Sequence, residues 1–185
     1  MAYLFSPCTP VLMMEKEFKT IYAINKYACE NYLKMYQESF GIDYVVFRIC
    51  VPYGNIIDNS LSFGTLGHMI SKAEKGENIT LYSDGSQKRS LIHAQDLAAL
   101  ILKASIEKDV TNDIFNIGGP DVLSIKEIAE MISKVYDVNI EYISWPEEHL
   151  KIESGDTIFD SSKLMSKVDY VYRYNFIKWI ESLCN

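Results

Sequence analysis

Helical segments alternate with apolar segments short enough to be strands, and this alternation constrains the fold more than any other feature of the sequence. Residues 15–40 carry apolar side chains at helical spacing and are followed by Gly41, a residue typical of helix ends. Residues 43–49 then form an apolar, β-branched run, which predicts a strand buried in a parallel sheet. The alternation continues to the end of the sequence, so we expect the α/β class.

The rest of the sequence fits the same class. A capping box from Ser124 to Glu127 predicts the start of one helix, and Asp84-Gly-Ser is typical of a turn. Residues 51–54 are expected to leave the strand as a loop. We expect further helices at 65–75, 94–106, 125–136, 161–168 and 175–183, and further strands at 79–82, 114–117 and 139–143.

The composition restricts the ligands and the cellular compartment. Of the 185 residues, 48% are hydrophobic and 23% are charged, and the net charge is −7. An acidic chain of this kind is not expected to bind nucleic acid. No apolar run approaches the ~18 residues of a membrane span. The four cysteines and three histidines lack metal-site spacing, so we expect no metal, free thiols and a cytoplasmic location.

Tyr22 and Lys26 are the main candidates for chemistry. Four residues apart on the first predicted helix, they would lie one turn apart on the same face. A positive charge beside a phenol favours the ionised form, so the pair suits acid–base catalysis at a hydroxyl group. The spacing recurs at Tyr174 and Lys178. For either pair, a core aromatic residue with a solvated lysine is the simpler interpretation.

A glycine-rich turn that cradles a dinucleotide pyrophosphate is not found in the sequence. Such a turn follows a strand and opens a helix. Only Gly64 and Gly67 have its internal spacing, and no predicted strand precedes them. The phosphate-binding half of a dinucleotide fold is therefore not expected within these 185 residues.

Three blocks, taken in order, resemble the extended short-chain dehydrogenase/reductase family, the NAD-dependent nucleotide-sugar epimerases and dehydratases. The first joins Tyr-x-x-x-Lys at 22–26 to Arg-x-x-x-x-Tyr-Gly within 47–54. The second and most specific block, 76–98, contains Asp-Gly-Ser-Gln-Lys-Arg and Ile-His. The third joins Phe-Asn-Ile-Gly-Gly at 115–119 to the capping box and the residues up to 129. The first block also selects Tyr22 and Lys26 over the second tyrosine–lysine pair.

The resemblance implies a catalytic pair that also contacts the cofactor, NAD. Tyr22 would exchange a proton with a sugar hydroxyl group. Lys26 would hold the nicotinamide ribose and favour the charged phenol. Ile49 and Cys50 would contact the nicotinamide. Arg48, at the end of the same predicted strand, has two equally weighted interpretations: a structural anchor for the loop or a part of the site.

The resemblance also implies a binding site for a nucleotide-diphosphate sugar. Leu81 and Tyr82 would lie beside the nucleotide base. Arg89 would meet the diphosphate, for which a planar cation with several donors is well suited. His93, in the same block, is expected to be a packed core residue, and Asp84 a turn residue rather than a carboxylate site.

The implied architecture is an incomplete Rossmann-type parallel sheet with a smaller α/β substrate-binding domain. Residues 1–60 would be the C-terminal part of the NAD-binding Rossmann domain. Residues 61–185 would form mainly the nucleotide-sugar domain, with elements that return to the Rossmann sheet. Because a truncated sheet has an open edge, and because the family pairs through the helix of Tyr22, we expect a homodimer.

Departures from the family pattern leave two hypotheses open. Val51 stands where the family has asparagine, and Glu153 where it has arginine; its catalytic serine or threonine has no match. The chain is either part of a nucleotide-sugar epimerase or dehydratase, inactive by itself, or a non-catalytic nucleotide-sugar-binding or interaction module. Both 4-epimerisation and 4,6-dehydration fit the residues of the first hypothesis.

Overall fold

The computed structural model describes residues 2–7, 20–54, 64–151 and 153–183, the first of these ranges as backbone. In this part of the chain, strands and helices alternate and the strands form three small sheets, two of them entirely parallel. The predicted α/β class is therefore confirmed.

A parallel three-stranded sheet carries the first group of predicted site residues. Its strands, in spatial order, are β1 (Ala2–Pro7), β2 (Tyr44–Ile49) and β6 (Asp113–Ile117). Every residue of β2 except Arg48 is buried, as expected of a strand covered on both faces. Helix α1 (Ile21–Phe40) joins β1 to the parallel strand β2 and must run back along the sheet. Its first turns therefore lie at the carboxyl edge of the sheet.

Helix α1 begins later than the sequence predicts. Thr20 is its N-cap residue, because its backbone is extended and its hydroxyl accepts a hydrogen bond from the Ala23 amide at 3.1 Å. The predicted residues 15–19 lie outside the described ranges. At the other end, Gly41 has φ of +65° and donates its amide to the Gln37 carbonyl at 2.9 Å. A glycine adopts this left-handed conformation without strain.

The largest difference between the structure and the sequence prediction is a second three-stranded sheet. It consists of β3 (Val51–Tyr53), β5 (Lys88–His93) and β7 (Asp121–Ser124), with β3 parallel and β7 antiparallel to the central β5. The sequence predicted a loop for the first of these segments and no strand for the other two. Pro52 lies in β3 at the edge of the sheet, where its missing amide donor removes no inner hydrogen bond.

A third, two-stranded parallel sheet lies beside two helices. Its strands are β4 (Ile79–Tyr82) and β8 (Ile140–Ile143). Helices α2 (Gly64–Glu74) and α4 (Ile125–Tyr136) both contact β4 and each other. These four elements were predicted from the sequence with boundary shifts of one residue at most.

The sequence prediction was accurate for some of the other helices and not for others. The capping box is confirmed, because the Ser124 hydroxyl accepts from the Glu127 amide and the Glu127 carboxylate accepts from the Ser124 amide. The helix predicted at 161–168 ends early, since the Lys167 amide donates to the Leu164 carbonyl in a tighter, 3₁₀-type turn. The remaining helical segments are α3 (Ala94–Ile106), a 3₁₀ turn (Lys108–Val110), α5 (Glu147–Leu150), α6 (Ser162–Met165) and α7 (Phe176–Ser182).

Two hydrophobic cores meet at the carboxyl end of β2. The first core is built around β2, β6 and α3, and the second around α2, α4 and β4. The chain passes from the first core to the second between Cys50 and Tyr53, and Leu91 and Ile92 again belong to different cores. Residues just after β2 therefore lie on the boundary between the two cores.

Candidate functional site

The first group of predicted site residues lies at the start of helix α1, at the carboxyl edge of the parallel sheet. The Lys26 Nζ is 5.6 Å from the centroid of the Tyr22 ring. Tyr22 is 48% exposed, and Lys26 is half-buried. The structure thus presents a phenol and an ammonium group together on an accessible surface, and both suit acid–base chemistry at a hydroxyl group.

Glu30 attaches this helix to the sheet. It lies four residues after Lys26, on the same face of α1, and is only 2% exposed. Arg48 donates from Nε at 2.9 Å and from Nη2 at 2.7 Å to the two carboxylate oxygens of Glu30. These hydrogen bonds raise the pKa of Arg48 above its ordinary value. Arg48 therefore has a structural role, but the element that it fixes against β2 is helix α1 rather than the loop.

Ile49 and Cys50 lie where β2 ends. Both are buried, and Cys50 is a thiol rather than half of a disulfide. The Cys50 amide donates to the Ile117 carbonyl of β6 at 2.9 Å. These two residues can thus form a wall of a ligand site, but that amide already has its hydrogen-bond partner.

The second group of predicted residues lines a cavity of about 530 Å³. Leu81 and Tyr82 from β4 and Arg89 from β5 all contribute to its walls, as do the start of α2 and the segment after β8. The structure therefore brings these three residues together in one cavity, although their strands belong to different sheets.

A smaller cavity of about 280 Å³ adjoins the first, and Thr65 and Arg89 line both. It extends to Val51 and Pro52, the two residues that follow Cys50. We call the two cavities together the ligand groove: it runs from Val51, past Arg89, to Tyr82. One end of this groove thus begins at the strand end where Ile49 and Cys50 lie.

An aromatic surface forms the far end of the groove. The rings of Tyr82 and Trp145 stack with centroids 4.7 Å apart and planes at 27°, and the His149 ring meets Tyr82 edge-on at 5.8 Å. Flat ring systems bind to such surfaces by stacking. Sequence reasoning missed Trp145 and His149, because only the pairing of Tyr82 with Ile143 in the β4–β8 sheet brings them to the site.

Arg89 is held by backbone carbonyls and by an acidic side chain. Its Nη1 donates to the carbonyls of Lys88 at 2.9 Å and Gly155 at 2.6 Å, and its Nη2 lies 3.2 Å from Glu153 Oε1. The same carboxylate oxygen accepts from the Gly155 amide at 3.0 Å. The arginine expected to meet a diphosphate therefore already forms an ion pair with the residue that departs from the family pattern.

Two residues that were predicted from the sequence to be structural, rather than part of the site, have those structural roles. His93 is 4% exposed and stacks on Tyr174 at 4.0 Å, and its burial lowers the pKa of the imidazole. Asp84 lies in a turn and accepts a hydrogen bond from the Ser86 amide at 3.0 Å, which lowers the pKa of its carboxyl group. Neither residue belongs to the groove.

Comparison with known protein families identifies the chain. The model of the NAD dependent epimerase/dehydratase family matches residues 12–118, more than half of the chain. The chain belongs to this family. The cofactor predicted from the sequence, NAD, is thus the cofactor of the family, and the predicted family resemblance is confirmed.

Members of the epimerase/dehydratase family with curated descriptions are clearly similar to this chain. CDP-paratose 2-epimerase of Salmonella typhi is 27% identical over 165 residues, which cover 83% of this chain and 47% of that protein. The dTDP-4-dehydro-6-deoxy-D-allose reductase of Streptomyces bikiniensis is 32% identical over 147 residues, which cover 78% of this chain and 41% of that protein. The chain therefore spans less than half the length of either relative.

Solved structures show the same fold. A dTDP-glucose 4,6-dehydratase from Streptomyces venezuelae, with NAD bound, has a TM-score of 0.81 at 17% identity over 97% of this chain and 57% of that one. A UDP-glucuronic acid 4-epimerase from Bacillus cereus, in complex with UDP-glucuronic acid and NAD, has a TM-score of 0.76 at 19% identity over 97% and 59%. The Rossmann-like fold of the epimerase/dehydratase family is thus shared.

Two other kinds of site are absent from the described residues. None of the helices there is both long and apolar enough to cross a membrane. Within the same ranges, no three histidine, cysteine or acidic side chains are grouped so as to hold a metal ion.

Proposed function

We propose that this chain supplies the proton-exchange pair and the nucleotide-sugar groove of an NAD-dependent nucleotide-sugar epimerase or dehydratase. The observation that supports this most strongly is the groove itself. It combines an aromatic surface at Tyr82, a guanidinium group at Arg89, and an end at Val51, beside the strand that contacts helix α1. A base, a diphosphate and a sugar follow one another in the same order in a nucleotide sugar.

In this proposal, the groove holds the substrate at three places. The base lies against Leu81 and Tyr82, with Trp145 extending the stacking surface. The diphosphate lies by Arg89. The sugar then extends into the smaller cavity towards Val51, a side chain that offers apolar contact but no hydrogen bond.

Tyr22 and Lys26 act on the sugar. Tyr22 exchanges a proton with a sugar hydroxyl group, and the Lys26 ammonium group stabilises the phenolate that results when the proton leaves. NAD, when bound, supplies hydride exchange at the carbon that bears this hydroxyl. The ion pair between Glu30 and Arg48 keeps the helix that carries both residues at the carboxyl edge of the sheet.

Part of the NAD site is present in this chain. Tyr22 and Lys26 are accessible together at the carboxyl edge, where open α/β sheets bind their ligands, and the buried Ile49 and Cys50 provide a wall for the nicotinamide. The sequence contains no glycine-rich turn for the pyrophosphate. These residues therefore suit the nicotinamide half of NAD, and we propose that the chain by itself binds NAD weakly and shows no turnover.

Calorimetric titration of the 185-residue protein with NAD tests that last point. We expect a dissociation constant well above the micromolar range. Micromolar affinity would contradict the proposed division of the NAD site.

Substitution of Tyr22 tests the proton-exchange role. The chain would be joined to the glycine-rich N-terminal half of a relative and assayed for turnover of nucleotide sugars. Tyr22→Phe should reduce turnover by about 100-fold or more while leaving nucleotide-sugar binding nearly unchanged. Tyr174→Phe, in the second tyrosine–lysine pair, is the matched control and should leave turnover unchanged. Equal effects of the two substitutions would remove Tyr22 from the mechanism.

A second candidate function is a non-catalytic module that binds nucleotide sugars or another protein. Two observations favour it. Val51 offers the substrate no polar group where the family has asparagine, and the guanidinium group of Arg89 is already paired with Glu153. Under this alternative, nucleoside diphosphates bind in an Arg89-dependent manner, but the joined protein described above shows no turnover with any nucleotide sugar.

We also propose a cytoplasmic homodimer that forms through helix α1. Large apolar side chains on this helix are exposed by 45% to 66% of their surface: Ile24, Tyr32, Met35, Tyr36 and Phe40. Apolar surface of this extent is typical of an interface. Light scattering should give the mass of two chains, and Tyr32→Glu should give the mass of one. A monomer at high protein concentration would contradict the proposal.

A further inference from the structure

The charge of the groove differs from what a diphosphate site needs. Among the described residues that line the larger cavity, Arg89 is the arginine and Glu153 is the carboxylate. Arg89 Nη2 lies 3.2 Å from Glu153 Oε1. Their charges cancel. The diphosphate bridge of a nucleotide sugar, which carries two negative charges, would therefore enter a site in which this arginine is neutralised.

The contacts of Arg89 place the Glu153 carboxylate where it opposes an anionic ligand. Both side chains are about four-fifths buried, with 18% and 21% of their surfaces exposed. Nη1 donates to two backbone carbonyls, and Glu153 Oε1 accepts from one of the two N–H groups of Nη2. An anionic oxygen that approached the other N–H group of Nη2 would lie beside this carboxylate and be repelled by it.

We propose that Glu153 is a specificity-determining residue that holds Arg89 in an internal ion pair and thereby weakens the binding of diphosphates relative to nucleosides. The inference rests on the proposed nucleotide-sugar groove. A nucleoside binds through the aromatic surface alone, whereas its diphosphate approaches Arg89 against the repulsion of the Glu153 carboxylate. Compared with a site whose arginine is unpaired, this site favours ligands that carry little negative charge next to the base.

Paired ligands separate this role from a merely structural one. Uridine and UDP share the base and the ribose and differ in the diphosphate; thymidine and dTDP form a second such pair, and cytidine and CDP a third. Binding is followed by the fluorescence of Trp145, in a protein that carries Trp179→Phe so that it has one tryptophan. Loss of structure around Glu153 would change the affinities for the nucleoside and the diphosphate alike.

Glu153→Gln is the test substitution, because glutamine keeps the shape and can still accept a hydrogen bond from the Gly155 amide. We expect it to tighten binding of the diphosphate by about tenfold or more, the range of one hydrogen bond to a charged group, and to leave nucleoside affinity within about twofold. The gain should shrink as salt is added, since it is electrostatic. Glu148→Gln, an exposed change of the same charge in the same segment, should produce neither effect.

Three results would overturn the inference, and they are distinguishable. If the wild-type protein binds diphosphates and Glu153→Gln changes neither the diphosphate nor the nucleoside affinity, Glu153 has no role in specificity while the groove remains. If both affinities rise equally, its role is structural. If neither protein binds any of the three ligand pairs, the proposed groove itself is wrong, and the inference fails with it. Should Glu153→Gln fail to fold, Glu153→Ala is read by the same two affinities.

Discussion

Helix α1 and the ligand groove are attached to the rest of the molecule in different ways. Of the twenty residues of α1, Glu30 is the buried one, and its two hydrogen bonds to Arg48 join the helix to the sheet. The groove is built on α2, β4 and β5, whose apolar side chains fill the second core. The proposed chemistry thus depends on one buried ion pair, whereas the proposed binding depends on distributed packing. The same kind of substitution should therefore have very different consequences in the two regions.

The largest effect is expected from Glu30→Ala. Removal of one partner of a buried ion pair leaves the other charge unpaired and costs about 3–5 kcal/mol. Urea unfolding should show this loss, and hydrogen exchange should show it first in α1. Glu38→Ala, an exposed change on the same helix, should cost less than about 0.5 kcal/mol. Equal stability of the two variants would mean that the ion pair does not hold the helix.

The groove should respond in binding rather than in stability. Trp145→Ala removes half of the stacked pair with Tyr82 and should weaken nucleotide binding by about tenfold or more, since a stacked base contributes about 1–3 kcal/mol. Trp145→Phe keeps an aromatic ring and should retain most of the affinity. If Trp145→Ala lowered the free energy of unfolding by more than it reduced the free energy of nucleotide binding, the proposed role of Trp145 in ligand binding would be contradicted.

A second buried carboxylate extends the comparison to the C-terminal segment. Asp96 is fully buried and accepts from the Tyr170 hydroxyl at 2.7 Å and from the amides of Arg173 and Tyr174. Burial, aided by Asp96, raises the pKa of Tyr170 to about 12. The folded state thus favours the neutral phenol more than the unfolded state does, so stability is complete below about pH 10 and decreases as pH rises towards 12.

Urea unfolding at several pH values measures this dependence. Burial also raises the pKa of Tyr44 and Tyr172, so several groups contribute to the loss. Between pH 10 and pH 12 we expect Tyr170→Phe to lose about 1–2 kcal/mol less than the wild-type protein does. Tyr32→Phe, at a residue that is 61% exposed, should behave like the wild type. A pH dependence unchanged by Tyr170→Phe would show that this phenol is not responsible.

The smallest effect is expected at the start of α4. Ser124→Ala removes the side-chain half of the capping box and should lower the free energy of unfolding by about 1 kcal/mol. Ser105→Ala is a suitable control, because that hydroxyl bonds only within its own helix, to the Leu102 carbonyl. If both variants lose the same stability, the capping box contributes nothing specific.

The parts of the fold that could be predicted from the sequence are those fixed by local chemistry. The apolar run of β2 and the serine–glutamate spacing before α4 each specify an element without knowledge of its neighbours. The strands β5 and β7 were missed, because their short mixed sequences become strands only by pairing with each other. Tertiary context decided those segments, as is common for strands.

The candidate site likewise contains residues that local sequence predicts and residues that only the tertiary structure brings together. Tyr22 and Lys26 could be proposed as a pair, because helical spacing alone brings them together. Trp145 could not be placed beside Tyr82 without the register of β4 and β8. The contact between Arg89 and Glu153 joins residues 64 positions apart, and no local pattern predicts it. A departure at Glu153 was visible in the sequence, but its consequence for Arg89 required the structure.

A crystal structure of the 185-residue protein with UDP-glucose or dTDP-glucose tests the central claim most directly. The account predicts a base on Tyr82 and Trp145, a diphosphate at Arg89 with Glu153 turned away from it, and a sugar that points towards Val51. A nucleotide sugar bound outside this groove, or bound with its sugar at the aromatic end, would contradict the account.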